Sequence, residues 1–270
     1  MDKVITSFEQ LNGLFAKVRE TGERPLTNFF WDENKHPFWL EAGTLRYQTT
    51  PGCVLLTNDN GEFLNLFYFA SGADTLKEAL SATALQKQTS LDIVSKAEAP
   101  VEMAVFQEQG FESYKRLYRM SHIGQLPFDP SLANETPKAD NRELEIVRNM
   151  LYTNFDPLSE QIPTLYELNE INQKGGVIVY KEDQEVCGFS IFEDKGLTWY
   201  WRYWFVSEQH RNKGIGSKLY NGSVKTSLQS KRQILWVIDN NENAIKRHTH
   251  FGFRQENLFD YVLLKKQIVI

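Results

Sequence analysis

The order of segments along the chain predicts an α/β protein built from two similar units. Each half shows, in the same order, a strand, a helix, a strand, a helix, a Gly-Phe pair and a last strand. The aromatic strand ends at 67–71 and 203–207 align with each other, as do the Gly-Phe pairs at 110–111 and 252–253. The second half also carries a glycine-containing loop that the first half lacks. We therefore expect a repeated fold, the alternative being two unrelated α/β domains with a similar order of elements.

The elements of the first half follow from its hydrophobic spacing. Apolar side chains at helical intervals predict a helix over 4–19, which Thr21 and Gly22 would end. The turn sequence Asn-Asp-Asn-Gly at 58–61, between two apolar runs, predicts a hairpin. The expected strands are 53–58, 63–70, 91–95 and 114–120, and the expected helices are 73–88 and 101–109.

The boundary between the halves is predicted from proline content. Residues 122–142 contain Pro127, Pro130 and Pro137 among polar residues, which is typical of a linker or crossover. We therefore divide the chain into 1–121, this linker and 143–270. In the second half the expected strands are 144–149, 177–180, 186–192, 197–206 and 233–239, and the expected helices are 158–172, 217–230 and a short one after residue 241.

The composition excludes several classes of protein. Of the 270 residues 41% are hydrophobic, and the net charge of −5 has both signs interspersed, so nucleic acid is not an expected partner. No stretch reaches the ~18 uninterrupted apolar residues of a membrane helix, and the N-terminus does not resemble a signal peptide. Cys53 and Cys187 both lie in strand-like runs, which favours buried thiols in a reducing cytoplasm over a disulfide or a metal site. We expect a cytoplasmic protein with no metal and no membrane partner.

The segment 207–219 joins a strand to a helix through the glycine-containing loop. Unpaired backbone N–H groups and the positive end of the helix dipole meet at such a junction. Gly214 and Gly216 lack the side chains that would block a ligand, and Arg211, Lys213 and Lys218 add positive charge. The pattern R-x-x-G-x-G is neither a nucleotide P-loop nor a dinucleotide fingerprint. It predicts a phosphate or diphosphate site, the alternative being an ordinary strand-to-helix turn.

Two motifs in a fixed order carry a family resemblance. V-x-x-x-x-R-x-x-G-x-G at 206–216 is followed by N-x-x-A-I and then G-F at 241–253. Together they resemble the GNAT family of acyl-CoA N-acyltransferases, over residues 143–266. The resemblance implies two GNAT-like units, each a mostly antiparallel twisted sheet flanked by helices, the first of them degenerate. Since the first half has neither motif, we expect that it does not bind CoA and instead packs against the second, shapes the acceptor cleft or reads the substrate.

The resemblance also implies an activity. An amine would attack the thioester of a bound acyl-CoA directly, with acetyl-CoA as the expected co-substrate and a small-molecule amine as the acceptor. No nucleophile–base pair in the sequence contradicts this mechanism. A non-catalytic acyl-CoA-binding or regulatory module is the alternative. An aminoacyltransferase of the FemABX type also has paired units, but the intact loop and the acidic balance argue against it. A homodimer is compatible with the sequence.

The resemblance assigns the residues that would hold CoA. The diphosphate would meet the loop residues Arg211, Asn212, Lys213, Gly214, Ile215, Gly216 and Ser217. A bulge near Phe205 and Val206 would separate the fourth strand from the fifth, so that the pantetheine arm pairs with exposed backbone. One of those two N–H groups would stabilise the tetrahedral oxyanion. Asn241 would bond the pantetheine arm, the alternative being an N-cap of the following helix.

Several groups are candidates for the two proton transfers that the reaction needs. Many relatives carry a tyrosine acid where this chain has His248, which can donate a proton near neutral pH; the alternative is an idle, partly exposed histidine. The fourth strand carries no carboxylate, so Glu193 at the end of the third strand is the nearest candidate base, with Asp194 behind it. Asp156 and Glu160 would attract a cationic amine or act only as solvated acids. A water chain ending on backbone carbonyls would also serve as the base.

Overall fold

The computed structural model describes residues 3–20 and 24–267, so the helix end predicted at Thr21 and Gly22 lies outside the described residues. The chain divides into two compact units. One comprises Met1–Leu117 and Leu258–Ile270, and the other comprises Tyr118–Asn257. The sequence assigns all of 143–270 to the second unit, whereas in the structure the last residues belong to the first.

Both units contain strands and helices. Up to residue 117 they are β1 (Lys3–Val4), α1 (Phe8–Arg19), β2 (Leu26–Thr27), α2 (His36–Glu41), β3 (Leu45–Thr50), β4 (Cys53–Asp59), β5 (Leu64–Ala70), α3 (Ala73–Ser81), β6 (Thr89–Ser95), α4 (Val101–Glu108) and the start of β7 (Glu112–Ile123). They continue as the 3₁₀ helix Pro130–Glu135, α5 (Asn141–Asn154), α6 (Leu165–Gln173), β8 (Val177–Glu182), β9 (Glu185–Lys195), β10 (Thr198–Val206), the 3₁₀ helix Glu208–His210, α7 (Ile215–Ser227), β11 (Arg232–Ile238), α8 (Glu242–His250) and β12 (Arg254–Lys265).

The sheet of the first unit is mostly antiparallel. Its strands are ordered β1-β3-β4-β5-β6-β12, β2 also pairs with β5, and the β5–β6 pair is parallel. Along β4, Cys53 and Leu55 join a core cluster with α3 and α4, whereas Val54 and Leu56 join a second cluster with α1. Because helices cover both faces, β4 reads in the sequence as a continuous apolar run.

The sheet of the second unit has the order β7-β11-β10-β9-β8. The turn between β8 and β9 lies at Asp183 and Gln184, whose φ angles of 48° and 69° suit a tight hairpin. Val177 and Val179 pack in a core with α5 and α6, and Ile178, pointing to the other face, lies against α7. The mixed α/β class and the mostly antiparallel sheets with flanking helices are therefore confirmed.

One predicted strand, 144–149, is wrong, because these residues lie in α5. A capping box starts this helix: the Glu143 N–H donates to Asp140 Oδ1 and the Asp140 N–H donates to Glu143 Oε2, both at 2.8 Å. Leu144, Val147 and Leu151 follow at helical spacing and are buried. The period of these apolar residues was the signal that the strand prediction missed.

Other predicted bounds shift for local reasons. α6 begins only at Leu165, after Pro163, where Thr164 and Glu167 form another capping box. The predicted linker 122–142 contains the end of β7, a 3₁₀ helix and the start of α5. In the part of the chain that the structure describes, none of the helices has the length and hydrophobicity of a membrane span.

Two glycines inside helices should respond in opposite ways to alanine. A Cβ at Gly222 in α7 would lie 2.0 Å from Oγ1 and 3.1 Å from Cβ of the buried Thr136. Gly222→Ala should therefore lower the free energy of unfolding by about 1–3 kcal/mol, as overpacking does. A Cβ at Gly13 in α1 would meet no described atom within 4 Å. Gly13→Ala should raise that free energy by about 0.5–1 kcal/mol. Denaturant unfolding measures both, and a change of the same sign in the two variants would contradict the packing described.

Candidate active site

The glycine-containing loop turns the chain from β10 into α7 through two residues in the left-handed region. Gly214 is the N-cap of α7 with φ 79°, and Asn212 has φ 63°. Glycine adopts this conformation freely, and asparagine is among the few other residues that tolerate it. The sequence thus dictates a sharp turn whose backbone N–H groups point outward from the helix start.

Five consecutive backbone N–H groups of this loop have no hydrogen-bond acceptor among the described residues. The Arg211 N–H donates to the Glu208 carbonyl at 3.2 Å, and the Ser217 N–H donates to the Gly214 carbonyl at 3.0 Å. Between them, no acceptor in the described part of the chain takes the N–H groups of residues 212–216. They lie at the positive end of the α7 dipole. This arrangement can hold an anion with several oxygen acceptors.

The two glycines of the motif have different surroundings. A Cβ added at Gly214 would meet no described atom within 4 Å, so this side of the loop is open. A Cβ added at Gly216 would lie 3.4 Å from the Trp204 ring. Gly214 therefore keeps the approach to the N–H groups clear, while Gly216 allows α7 to pack closely on β10.

The cationic side chains around the loop are less available than the sequence predicts. Lys213 Nζ lies 3.2 Å from Glu182 Oε2, and Lys218 Nζ is paired with Glu135. Arg211 is exposed, and its Nε donates to the Val206 carbonyl at 3.2 Å. The attraction for an anion therefore comes mainly from the backbone N–H groups and from Arg211.

β10 separates from its neighbour β11 beyond Tyr200. The parallel register joins Thr198–Tyr200 to 232–234 and has no further described pairs. On its other edge β10 stays paired with β9 to its end, with a register shift between Trp201 and Tyr203. The bulge predicted near residues 205 and 206 is therefore at Arg202 instead. The extra residue bends β10 away from β11 before the loop begins.

Strand alternation decides which of the two predicted oxyanion donors faces the separation. The Ser207 N–H donates to the Cys187 carbonyl of β9 at 2.9 Å. N–H groups two residues apart point to the same neighbour, so the Phe205 N–H also points to β9, where Phe205 is registered with Phe189. The Val206 N–H points the other way, on the side where its carbonyl receives Arg211. Of the two, only Val206 offers an N–H to a ligand.

Asn241 is the N-cap of α8. Its Oδ1 accepts the Ala244 N–H at 3.2 Å, which is the alternative that the sequence allowed. Its side chain is exposed, and its amide NH₂ group donates to no described acceptor. The capping bond fixes the orientation of the amide without using its donors.

His248 lies in an aromatic environment. Its ring centroid is 5.7, 5.9 and 5.8 Å from those of Trp201, Trp204 and Phe253, and its Nδ1 is buried without a hydrogen-bond partner among the described residues. Burial, assisted by the charge of Arg247, lowers the pKa of His248 to about 4. The ring is therefore neutral at pH 7. The local sequence does not signal this environment, because Trp201 and Trp204 lie on β10, far from His248 in the chain.

Glu193 is buried and paired with two cations. Its oxygens lie 2.7 Å from Lys195 Nζ and 3.3 Å from Arg202 Nη1. Arg202 Nη2 also donates to the Gln161 carbonyl, and the Tyr203 hydroxyl donates to the Glu160 carbonyl. Arg202 was not among the predicted site residues. Its position at the bulge, with the loop at 160–161 on one side and Glu193 on the other, shows that it organises this region.

Asp156 and Glu160 act within their own turn. Asp156 Oδ1 accepts the Leu158 N–H at 3.0 Å, and Glu160 Oε2 accepts the Asp156 N–H at 2.8 Å. Both carboxylates therefore shape the loop between α5 and α6. They are not simply solvated acids.

The corresponding junction of the first unit is closed. Between β5 and α3, the Ser71 N–H donates to the Gly52 carbonyl at 2.8 Å and the Gly72 N–H donates to Thr75 Oγ1 at 3.2 Å. A Cβ on Gly52 would lie 2.7 Å from Ser71 Oγ, so strand and helix are in close contact here. At this junction of the first unit, the two N–H groups that lead into α3 are therefore both paired within the described residues.

A comparison of the sequence with known protein families agrees with the geometry of the loop and of β10. Residues 144–253 match the family described as acetyltransferase (GNAT) family. The second unit therefore carries a GNAT domain. Among curated proteins, none matches the chain.

Solved structures extend the likeness over both units. A tandem GNAT protein from the clavulanic acid biosynthesis pathway is similar with a TM-score of 0.61 and 11% identity, over 97% of this chain and 95% of that one. A GNAT-family acetyltransferase from Colwellia psychrerythraea is similar with a TM-score of 0.56 and 14% identity, over 98% of each chain. A GCN5-related N-acetyltransferase from Sphaerobacter thermophilus has a TM-score of 0.51 and 12% identity, over 94% and 91%. At these identities the likeness shows the fold, and it includes the first unit.

The partly buried imidazole of His248 predicts a pH dependence of stability. The pKa of His248 is lowered from 6.5 to about 4 in the folded state, so between these values the unfolded chain binds a proton that the folded chain does not. Stability should fall as the pH is lowered through this window, by up to about 3 kcal/mol from this residue. In His248→Gln that part of the loss should vanish, while above pH 7 the two proteins should differ by a constant amount. Unfolding free energies at a series of pH values test this, and parallel curves below pH 6.5 would contradict it.

Proposed function

We propose that this protein transfers an acyl group, with acetyl-CoA as the expected donor, to a small-molecule amine by direct attack of the amine on the thioester. The observation that carries the proposal is the row of unpaired N–H groups at residues 212–216, at the open start of α7 and next to the point where β10 leaves β11. An anion-binding turn beside an unpaired strand edge suits a ligand that joins a diphosphate to an extended amide chain.

Each part of CoA has a counterpart in this arrangement. The N–H groups of 212–216 would receive the diphosphate. The free edge of β10 would pair with the amides of the pantetheine arm, with the NH₂ group of Asn241 as a further donor. The Val206 N–H, on the same edge, would then stabilise the oxyanion formed on the thioester carbonyl, a contact worth about 3 kcal/mol in comparable sites.

His248 is the proposed partner of the leaving thiolate. In the free protein its ring is neutral, with a pKa lowered to about 4. An anion forming beside the imidazole would favour its charged form, so the ring would take up the proton that the amine releases to water and pass it to the sulfur. The unpartnered buried Nδ1 is available to such a group. For the amine proton, a water chain to backbone carbonyls is a better acceptor than Glu193, because Glu193 would first have to leave both Arg202 and Lys195.

A non-catalytic acyl-CoA-binding module is the second candidate. The observation that favours it is the combination of a His248 that is neutral in the free protein with a Glu193 held by two cations, so that neither predicted proton-transfer group is in its active form. The two candidates share the binding site and differ only in turnover.

The first prediction from this proposal concerns ligand binding. Acetyl-CoA at 100 times its Kd should stabilise the folded protein by about 2.7 kcal/mol. Ser217 is exposed in the first turn of α7, so Ser217→Glu should leave the free protein as stable or slightly more stable, because a negative charge suits a helix N-terminus. The same charge should repel the diphosphate and weaken binding by at least about tenfold, or 1.4 kcal/mol. Thermal melting with and without acetyl-CoA measures both effects.

Ser217→Gln is the matched control for this experiment. Glutamine has the same shape without the charge and should keep most of the stabilisation by acetyl-CoA. A wild-type melt that acetyl-CoA leaves unchanged would overturn the proposed function. Equal loss in the two variants would mean that side-chain bulk, and not charge, blocks the site.

The second prediction separates an enzyme from a binding module. With acetyl-CoA and a panel of small amines, the wild-type protein should release free CoA, which a thiol reagent detects. His248→Phe should lower kcat while leaving the affinity for acetyl-CoA unchanged. Phenylalanine keeps an aromatic ring in the cluster and has no nitrogen that could transfer a proton. Normal turnover in this variant would remove His248 from the mechanism. Binding without CoA release for any amine would favour the non-catalytic module.

A further inference from the structure

Three side chains that commonly bind transition metals converge beside the loop. They are Glu182 at the end of β8, Cys187 in β9 and His210 in the 3₁₀ helix before the loop. One ligand atom from each lies within 4.8 Å of the other two. Cys187 is buried, whereas the side chains of Glu182 and His210 are 36% and 18% exposed, so an ion could reach them from solvent. The sequence predicted no metal because it has only two cysteines, and His210 is distant from the other two residues in the chain.

The hydrogen bonds around His210 present the correct ring nitrogen to this cluster. The Ser207 hydroxyl donates its one proton to the Cys187 carbonyl at 2.6 Å, so it can only accept from His210 Nδ1, which lies 3.3 Å away. Nδ1 therefore carries the proton, and Nε2 keeps its lone pair. Such an outer hydrogen bond is the usual device that fixes a metal-binding histidine.

Two electron-pair donors then face each other. His210 Nε2 lies 3.4 Å from Glu182 Oε2, with the Cys187 sulfur close by. In this tautomer neither atom has a hydrogen to share with the other, so the contact is satisfied either by a second proton on His210 or by a cation between the two atoms. We propose that Glu182, Cys187 and His210 form a Zn²⁺ site. A thiolate, an imidazole and a carboxylate are the ligands that Zn²⁺ accepts, and three protein ligands leave a fourth position for water.

The ligand atoms of the cluster lie somewhat farther apart than the ligands around a bound Zn²⁺. With metal–ligand bonds of 2.0–2.3 Å, tetrahedral ligands lie about 3.5 Å apart. Glu182 and His210 would move inward by about an ångström, which side chains at the surface can do. Cys187 would lose the contact of its thiol with the Glu185 carbonyl, now 3.3 Å away, and release its proton to water on coordination.

The ion would also act on the neighbouring loop. Lys213 Nζ is held 3.2 Å from Glu182 Oε2. Once Glu182 coordinates the metal, Lys213 loses this partner and is free to meet an anion at residues 212–216. Zn²⁺ and acetyl-CoA should therefore strengthen each other's binding. This consequence rests on the proposed function, whereas the metal site itself does not.

Titration of the full-length protein with Co²⁺, a spectroscopic substitute for Zn²⁺, tests the site. We expect a thiolate-to-cobalt charge-transfer band that saturates at one equivalent and disappears when Zn²⁺ is added. Cys187→Ser should abolish the band, and Glu182→Gln and His210→Gln should each weaken Co²⁺ binding by at least tenfold. Cys53→Ser, which removes the other buried thiol, should leave the band unchanged. No band in the wild-type protein, or the same band in Cys187→Ser, would overturn the proposal.

Two further arms keep the test decisive. Should Cys187→Ser fail to fold, His210→Gln carries the test, and unchanged Co²⁺ affinity in that variant would overturn the site. The affinity for acetyl-CoA, measured with and without Zn²⁺, should rise in the wild-type protein and not in Glu182→Gln. If acetyl-CoA fails to bind under every condition, the proposed function falls, and the cobalt band still decides the metal site on its own.

Discussion

The candidate site depends on backbone amides that the fold leaves unpaired. β10 is paired on both edges only as far as Tyr200, and after the bulge at Arg202 it keeps only its partner β9. The Val206 N–H therefore points to an edge without a strand, and the loop that follows adds the N–H groups of 212–216. Unpaired amides are costly when buried and are tolerated here because they are open to a ligand or to solvent. This one interruption of the sheet creates both halves of the proposed CoA site.

Aromatic packing holds the interruption in place. Tyr220 of α7 stacks on Phe251 at 3.8 Å, and Trp204 of β10 lies against Gly216. The same cluster surrounds His248 and lowers its pKa by excluding water. A site built on a strand and two helix ends, with close contacts between them, is more rigid than one built on a free loop. The same cluster keeps the imidazole of His248 neutral. A negative charge on the substrate would be needed to favour the charged form of the ring.

The first unit shows that this fold and this site are separable. Its strands and helices follow a similar order, yet the junction before α3 is short, and its N–H groups bond to Gly52 and Thr75. Nothing in the sheet itself requires the loop, which supports the proposal that only the second unit binds CoA. The same reasoning applies to Glu182, Cys187 and His210, which depend on the β8–β9 hairpin lying next to the start of the loop.

The sequence by itself determined what depends on neighbours in the chain: the turn made by Asn212 and Gly214, the free start of α7, the N-cap at Asn241 and the mixed α/β class. Its local errors, such as the strand predicted at 144–149, came from overlooking the helical period of an apolar run and the capping box before it. Tertiary structure alone decided the bulge at Arg202, the burial of His248 and the pairing of Glu193. Each of these depends on which strand lies beside which, and pairing between distant segments is a choice that packing of the whole domain makes.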